Sequence, residues 1–244
     1  MILRAAAGTN VGRRRRINED RYAIAPELSL FLVADGMGGH TAGQVASELA
    51  AQAALRAVGT LQDAAVSLAE KLRFAVSSAN RAIFEAARER PELAGMGTTL
   101  VAVLAHDGRV ALAHVGDSRA YLVRGGRIRQ LTDDHSVVGE LLRRREISAD
   151  AAREHPHRHV LTRALGVRAV VEPDLAELSP SAGDVFALCS DGLTTHVRDE
   201  EIAERASAGA IPEAAVDALI DLANARGGED NITVVFLRWE DGAP

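Results

Sequence analysis

The chain has 244 residues, 28 Lys+Arg against 34 Asp+Glu for a formal net charge of −6, and 47% hydrophobic residues. This profile describes an ordinary soluble globular chain and argues against a general nucleic-acid binder, which carries a net basic surface. A single cysteine, Cys189, excludes an internal disulfide and paired-cysteine zinc sites and fits a reducing cytoplasm, while apolar runs such as Leu30 to Ala34 are far shorter than the roughly 20 residues of a membrane span.

The first residues, Met1 to Gly8, lack the long hydrophobic stretch and cleavage site of a secretory signal. Two apolar bursts, Tyr22 to Ala25 and Leu28 to Ala34, are separated by Pro26 and predict a hairpin. The second burst runs into Asp35-Gly36-Met37-Gly38-Gly39-His40, after which Val45, Leu49 and Ala53 fall on one helical face. Between Ala64 and Arg90 the spacing of Leu72, Val76, Ala79, Ile83 and Ala87 predicts an amphipathic helix. Strands are expected over Thr99 to Ala105, Val110 to Val115, Ala120 to Val123 and Ile128 to Leu131, read as a meander. Residues 137–166, with Arg143-Arg144-Arg145 and a histidine-rich polar stretch, read as a mobile surface insert. Strands at Val170 to Val171 and Val185 to Leu188, helices over Glu200 to Ala208 and Pro212 to Ala225, and a closing strand from Ile232 to Leu237 complete the chain. No linker or repeat interrupts it, so residues 1–244 read as one domain of α+β class, sheets covered by helices.

Carboxylates recur where an apolar strand meets glycine: Asp35 before Gly36, Asp117 after Gly116, Asp191 before Gly192, and Asp230 after Gly227-Gly228-Glu229. Each dipeptide alone is explained by turn chemistry. Together, at rigid strand ends beside glycines that admit close backbone approach, they can converge on one point. Like charges so placed repel unless a cation sits among them, and all-oxygen ligation suits Mg²⁺ or Mn²⁺.

Eight segments carry a resemblance: Arg15-Arg16-Ile17-Asn18-Glu19-Asp20-Arg21, Asp35 to His40, Gly97-Thr98-Thr99, Gly116-Asp117-Ser118-Arg119-Ala120-Tyr121, Leu131-Thr132-Asp133-Asp134-His135-Ser136, Leu161-Thr162-Arg163-Ala164-Leu165-Gly166, Cys189-Ser190-Asp191-Gly192-Leu193 and Asp230-Asn231-Ile232-Thr233. In this order they resemble the motifs of the metal-dependent protein phosphatase (type 2C, PPM) family, bacterial serine/threonine branch. The resemblance implies two central antiparallel β-sheets flanked by helices in a four-layer αββα sandwich, with residues 137–166 as the variable flap. It implies hydrolysis of phosphoserine and phosphothreonine by in-line attack of a metal-bridging hydroxide, with two Mn²⁺ or Mg²⁺ ions in the core site and a weaker third. Phosphorylated proteins would be its substrates, and a Ser/Thr kinase a potential partner. Carried over by position, Asp35 bridges two metals, the Gly36 carbonyl binds one, and Asp191 and Asp230 bind the other. Asp117 with Asp191 matches the third site, and Arg15 grips the substrate phosphate. Glu19 and Asp20 match acidic positions that hold metal-bound water or contact the second ion, and Asn231 is placed in the same surrounding layer.

One departure concerns residue 37, a methionine where animal members carry a histidine thought to protonate the leaving group. Methionine has no proton to give, so that role would pass to metal-bound water or to a side chain such as His40, which equally suits a structural role at the helix start. A dinucleotide-binding turn at Gly36-Met37-Gly38-Gly39 would need glycine at position 41, which is Thr41, and a cysteine phosphatase would need arginine at position 195, which is Thr195. The remaining rival is a non-catalytic phosphatase-like module. Within the insert, Arg153 and Arg158 concentrate positive charge on an acidic protein and would contact phosphopeptides electrostatically.

Overall fold

A strand that is apolar on both faces must be covered on both sides, and the central strands of this chain are of that kind. The computed structural model describes residues 2–38, 41–207 and 212–241; Gly39, His40 and Ala208 lie outside them. One sheet has the order β1 (Ile2–Asn10), β11 (Ile232–Glu240), β10 (Val185–Cys189), β7 (Arg119–Arg124) and β8 (Arg127–Gln130). The other has the order β2 (Asp20–Ala25), β3 (Leu30–Met37), β5 (Leu100–His106), β6 (Arg109–Val115) and β9 (Asp174–Leu178), with the short β4 (Gly97–Thr98) on β3. All neighbouring pairs are antiparallel.

Alternate residues of each central strand go to different cores. Leu30, Leu32 and Ala34 of β3 face the helices α1 (Ala42–Thr60) and α2 (Leu68–Glu89), whereas Phe31 and Val33 meet the opposite sheet. On the other side, Phe186, Leu188, Val235 and Leu237 fill the space between the sheets, and Ala187, Val234 and Phe236 pack under α6 (Asp199–Ser207) and α7 (Pro212–Ala225). Helix, sheet, sheet and helix therefore stack in four layers around three cores, the α+β arrangement expected. Each fully buried Leu or Phe in them contributes about 1.5–3 kcal/mol.

Several local expectations are corrected. The buried face of α1 is Ala46, Ala50, Ala53, Ala54 and Ala57, with Val45 and Leu49 half-buried at its margin, because alanines let the helix lie close to β3 and α2. Helix α2 begins at Leu68 because Ser67 and Glu70 close a capping box before it. The expected meander is split: β6 pairs with β5 and β9, whereas β7 pairs with β10 and β8, so residues 116–118 cross from one sheet to the other. Val170 and Val171 are not in a strand; Pro173 follows, and β9 starts at Asp174. The insert carries two short helices, α3 (Val137–Arg143) and α4 (Ala149–Arg153), capped by Ser136 and Ser148. Strand β1, on the sheet edge, pairs with β11 over its whole length.

Candidate active site

The acidic residues sit where strands end. Asp20 and Asp35 are cross-strand partners on β2 and β3, Asp230 precedes β11, and Asp191 opens the short helix α5 (Asp191–Thr194) directly after β10. Asp117 lies in the sheet-to-sheet crossing, where Gly116 has φ +107 and a Cβ would stand 2.5 Å from Thr99 Cγ2. Asp35, Gly36, Asp117, Asp191 and Asp230 line one cavity of about 630 Å³, together with Arg15, Glu19, Thr99 and His196.

The backbone around these groups is fixed by close packing. The Asp35 carbonyl accepts from Thr99 N at 2.9 Å and Thr98 Oγ1 at 2.8 Å, and Asp35 N donates to Thr99 Oγ1 at 3.0 Å. A Cβ on Gly36 would stand 2.0 Å from the Gly43 carbonyl oxygen, and one on Gly192 2.0 Å from that of Asn231. Only glycine permits these approaches, which hold the Asp35 and Asp191 backbones against their neighbours.

The electrostatics are those of crowded anions. Burial pushes Asp35 well above the usual carboxylate range, and Asp20, Asp191, Asp117 and Asp230 add to the effect. Asp117 is raised in the same way by burial and by Asp191 and Asp134, against the opposing Arg119. Asp230 is raised by burial and Asp191, opposed by the Asn231 N–H and by Arg15. The nearby cation is Arg15, which donates Nη2 to Asp230 Oδ2 at 2.7 Å and stands 4.0 Å from Glu19. Glu19 is also pushed up by burial, and its Oε1 is a buried oxygen without a hydrogen-bond partner among the described residues. An oxygen-only donor set, mutually repelling and with orphaned acceptors, fits hard divalent cations.

Asp20 and Asn231 stand behind the cleft. Asp20 is buried between the sheets, where its Oδ2 accepts from Ser190 Oγ at 2.7 Å and Thr233 Oγ1 at 2.6 Å. Burial raises it to about 7 in spite of the Thr233 and Ser190 bonds, with Asp191 and Asp230 adding their repulsion, and its Oδ1 has no partner among the described residues. The Asn231 amide donates to the carbonyls of Val11 (2.9 Å) and Ile17 (3.0 Å) and accepts from Glu19 N (2.7 Å). It fixes the loop that carries Arg15. Of the four consecutive arginines Arg13 to Arg16, Arg15 is the member ion-paired to these carboxylates among the described residues.

Three cleft groups were not assigned from the sequence. Thr99 holds Asp35, and its motif was visible without its task. His159, from the histidine-rich stretch of the flap, brings Nδ1 to 3.9 Å from Asp191 Oδ2, and His196 lines the same cavity. These contacts join segments far apart in the chain, which no local pattern reveals. His40 falls outside the described residues.

A second cluster, His114, His135 and Asp174, brings possible ligand atoms within 4.8 Å of one another. Its bonding assigns it differently. His135 Nδ1 accepts from Gly116 N at 3.1 Å, so in the neutral ring the hydrogen sits on Nε2, which lies 3.3 Å from Asp174 Oδ2 without forming a hydrogen bond among the described residues. Burial beside His114 holds His135 down at about 4, so it stays neutral at physiological pH and braces the Asp117 crossing.

A family model described as protein phosphatase 2C matches residues 7–225. The chain belongs to the protein phosphatase 2C family. It is 42% identical over 236 residues to the serine/threonine phosphatase stp of Listeria monocytogenes, covering 94% of this chain and 93% of that protein. It is 45% identical to the serine/threonine protein phosphatase PstP of Mycobacterium tuberculosis over 96% of this chain and 45% of that protein. A crystal structure of the PstP catalytic domain in complex with two manganese ions superposes with a TM-score of 0.85 at 40% identity, covering 98% of this chain and 99% of that one. Within this protein phosphatase 2C frame, Met37 lines the cleft wall and offers no proton. Cys189 is buried in β10 with its thiol pushed up to about 12 by burial, which removes it as a nucleophile.

Proposed function

We propose that this chain is a metal-dependent protein phosphatase that hydrolyses phosphoserine and phosphothreonine in proteins. The observation that carries the reading is the convergence of Asp35, Asp117, Asp191 and Asp230 with Gly36 on one cleft that also holds Arg15. Two Mn²⁺ or Mg²⁺ ions held by Asp35, the Gly36 carbonyl, Asp191 and Asp230, with a weaker third at Asp117 and Asp191, would supply an acidified water and positive charge facing the phosphoryl oxygens. The protein's own part is positioning. Thr98 and Thr99 fix the Asp35 backbone, Asn231 fixes the Arg15 loop, and the Arg15 guanidinium binds the phosphate through its planar fork. Asp20 ties the two sheets together beneath the ligands.

Residues 1–244 act as one catalytic unit, with 137–166 as the flap. Arg153 and Arg158 line a groove of about 270 Å³ that also touches Asp117 and Asp191, which suits electrostatic contact with a phosphopeptide. Among the described residues no helix is long and apolar enough to cross a membrane. We place the protein in the cytoplasm on its lone, buried cysteine, in signalling opposite a Ser/Thr kinase.

The test is hydrolysis of a phosphothreonine peptide by chelated protein before and after Mn²⁺ is restored. Activity is expected to vanish on chelation and return with metal. Protein that binds no metal and turns over no peptide would favour the binding-module reading. A second expectation concerns Arg15→Lys, which keeps the charge but loses the fork: kcat/KM for the peptide should fall roughly 10–100-fold, the worth of a charged hydrogen bond. Calorimetric Mn²⁺ affinity should be retained. Wild-type kinetics in that variant would remove Arg15 from phosphate binding.

A further inference from the structure

Beside the catalytic cleft, and sharing Met37 and Leu161 with it, lies a second groove of about 340 Å³ walled by Val167, Val170 and Val171, with Arg168 also lining it. Isolated exposed apolar residues need no explanation. Here several converge: Val170 is 74% exposed and Val167 54%, and both face a groove that opens from the active site.

The segment that presents them is held from beneath. Asn80 of α2, buried at 2% exposure, accepts Gly166 N–H at 2.8 Å and donates to the carbonyls of Arg168 at 3.0 Å and Ala169 at 3.2 Å. Leu165 exchanges two backbone hydrogen bonds with Thr98, whose own hydroxyl donates to the Asp35 carbonyl. At Gly97 a Cβ would meet Met37 Cε at 2.7 Å and Val167 Cγ2 at 3.2 Å, so the groove wall and the cleft wall pack together across a missing side chain. A buried amide and a strand bridge thus fix an exposed apolar surface in register with the catalytic strands. Such preorganisation lowers the cost of binding.

Charge matches the same use. Arg163 is engaged by Asp174 at 2.6 Å, whereas Arg168 has no ion-pair partner among the described residues and stands exposed beside an anionic substrate's path. We propose that this groove is a specificity subsite for an apolar side chain of the phosphoprotein substrate, within two residues of the phosphorylated position. The proposal rests on the phosphatase reading above and names the substrate class of the same site. Residues along an extended peptide advance roughly 3.3 Å each, so a groove that opens from the cleft wall is within reach of near neighbours only.

The experiment uses the full chain with Mn²⁺ and phosphothreonine peptides of Gly/Ser background, with a leucine moved singly through the two positions on each side. 4-Nitrophenyl phosphate is the reference. Leucine at a position on one side is expected to raise kcat/KM roughly five- to tenfold, the scale of a partly buried leucine. Val167→Ser with Val170→Ser should reduce that preference to about one. Because Val167 also packs at Gly97, Val170→Ser alone is the second variant, expected to lose part of it. Equal kcat/KM across the peptides alongside brisk aryl phosphate turnover would overturn the subsite alone, as would a preference undiminished in both variants. No turnover of any substrate would overturn the phosphatase reading and the subsite with it.

Discussion

Asp191→Asn is expected to lower phosphopeptide hydrolysis by about a thousandfold, the scale at which an electrostatic group at the reacting centre acts, without weakening the metal-free fold. Asp191 repels Asp35, Asp117 and Asp230 at once, and its charge raises all three. Asparagine keeps the shape and removes that charge. Mn²⁺ affinity, read by calorimetry, should fall with activity. In chelator, where the carboxylates repel one another and Arg15 offsets that mainly at Asp230, the thermal midpoint should hold or rise as repulsion is relieved. Unimpaired turnover in the variant would remove Asp191 from the mechanism, and a collapse of the chelated fold would make its role structural.

The chelated protein is also expected to lose stability as pH rises from about 5 to 7.5, against the habit of most acidic proteins. Asp20 is raised to about 7, and Asp35, Asp117 and Asp230 also sit above the ordinary carboxylate range. The native state therefore holds protons that the unfolded chain has released. Where the native state binds more protons, stability falls with rising pH. The contribution is complete below the unfolded pKa near 4 and lost as pH passes the folded value; for Asp20 the limit is about 4 kcal/mol. Carboxylates shifted the other way, such as Glu201 at about 2 beside Arg226, act only below about pH 4.5, whereas His135, held at about 4, and His114, also lowered by burial, add stability as pH rises to about 6.5 and offset part of the fall, which is therefore steepest above about pH 6.5. Thermal midpoints in chelator should fall by several degrees across the window, and Mn²⁺ should restore most at the neutral end. A flat profile in chelator would show that the cluster is not frustrated as described.

Much of the arrangement was legible locally, and the exceptions have a common origin. Continuous apolar runs on β3, β5, β10 and β11 and the helical spacing of α2 reported burial directly, because each residue's environment there is set by its own element. The break came at residues 116–118, where adjacent strands joined by a short connection belong to different sheets. Periodicity records which face is buried and carries no information about which strand lies beside it. The alanine face of α1 misled for a related reason, since small residues signal close approach and not hydrophobic weight.

At the site, residue chemistry and position along the chain were enough to single out Asp35, Asp117, Asp191 and Asp230, because a carboxylate at a strand end beside glycine is a local signature, whereas Arg15 was picked out only by the family resemblance. What each neighbour does was decided only in three dimensions. Asp20 binds Ser190 and Thr233 from the opposite sheet, Asn231 spends its amide on residues 11, 17 and 19, and His159 reaches Asp191 across the flap. The valine groove needs Met37, Asn80 and residues 166–170 in one place. The sequence by itself determined the layered α+β class and the acidic chemistry, which depend on residue type and short-range spacing; the tertiary structure alone decided which distant backbones meet, because hydrogen-bond partners and shared cavities depend on register between strands that the chain order leaves open.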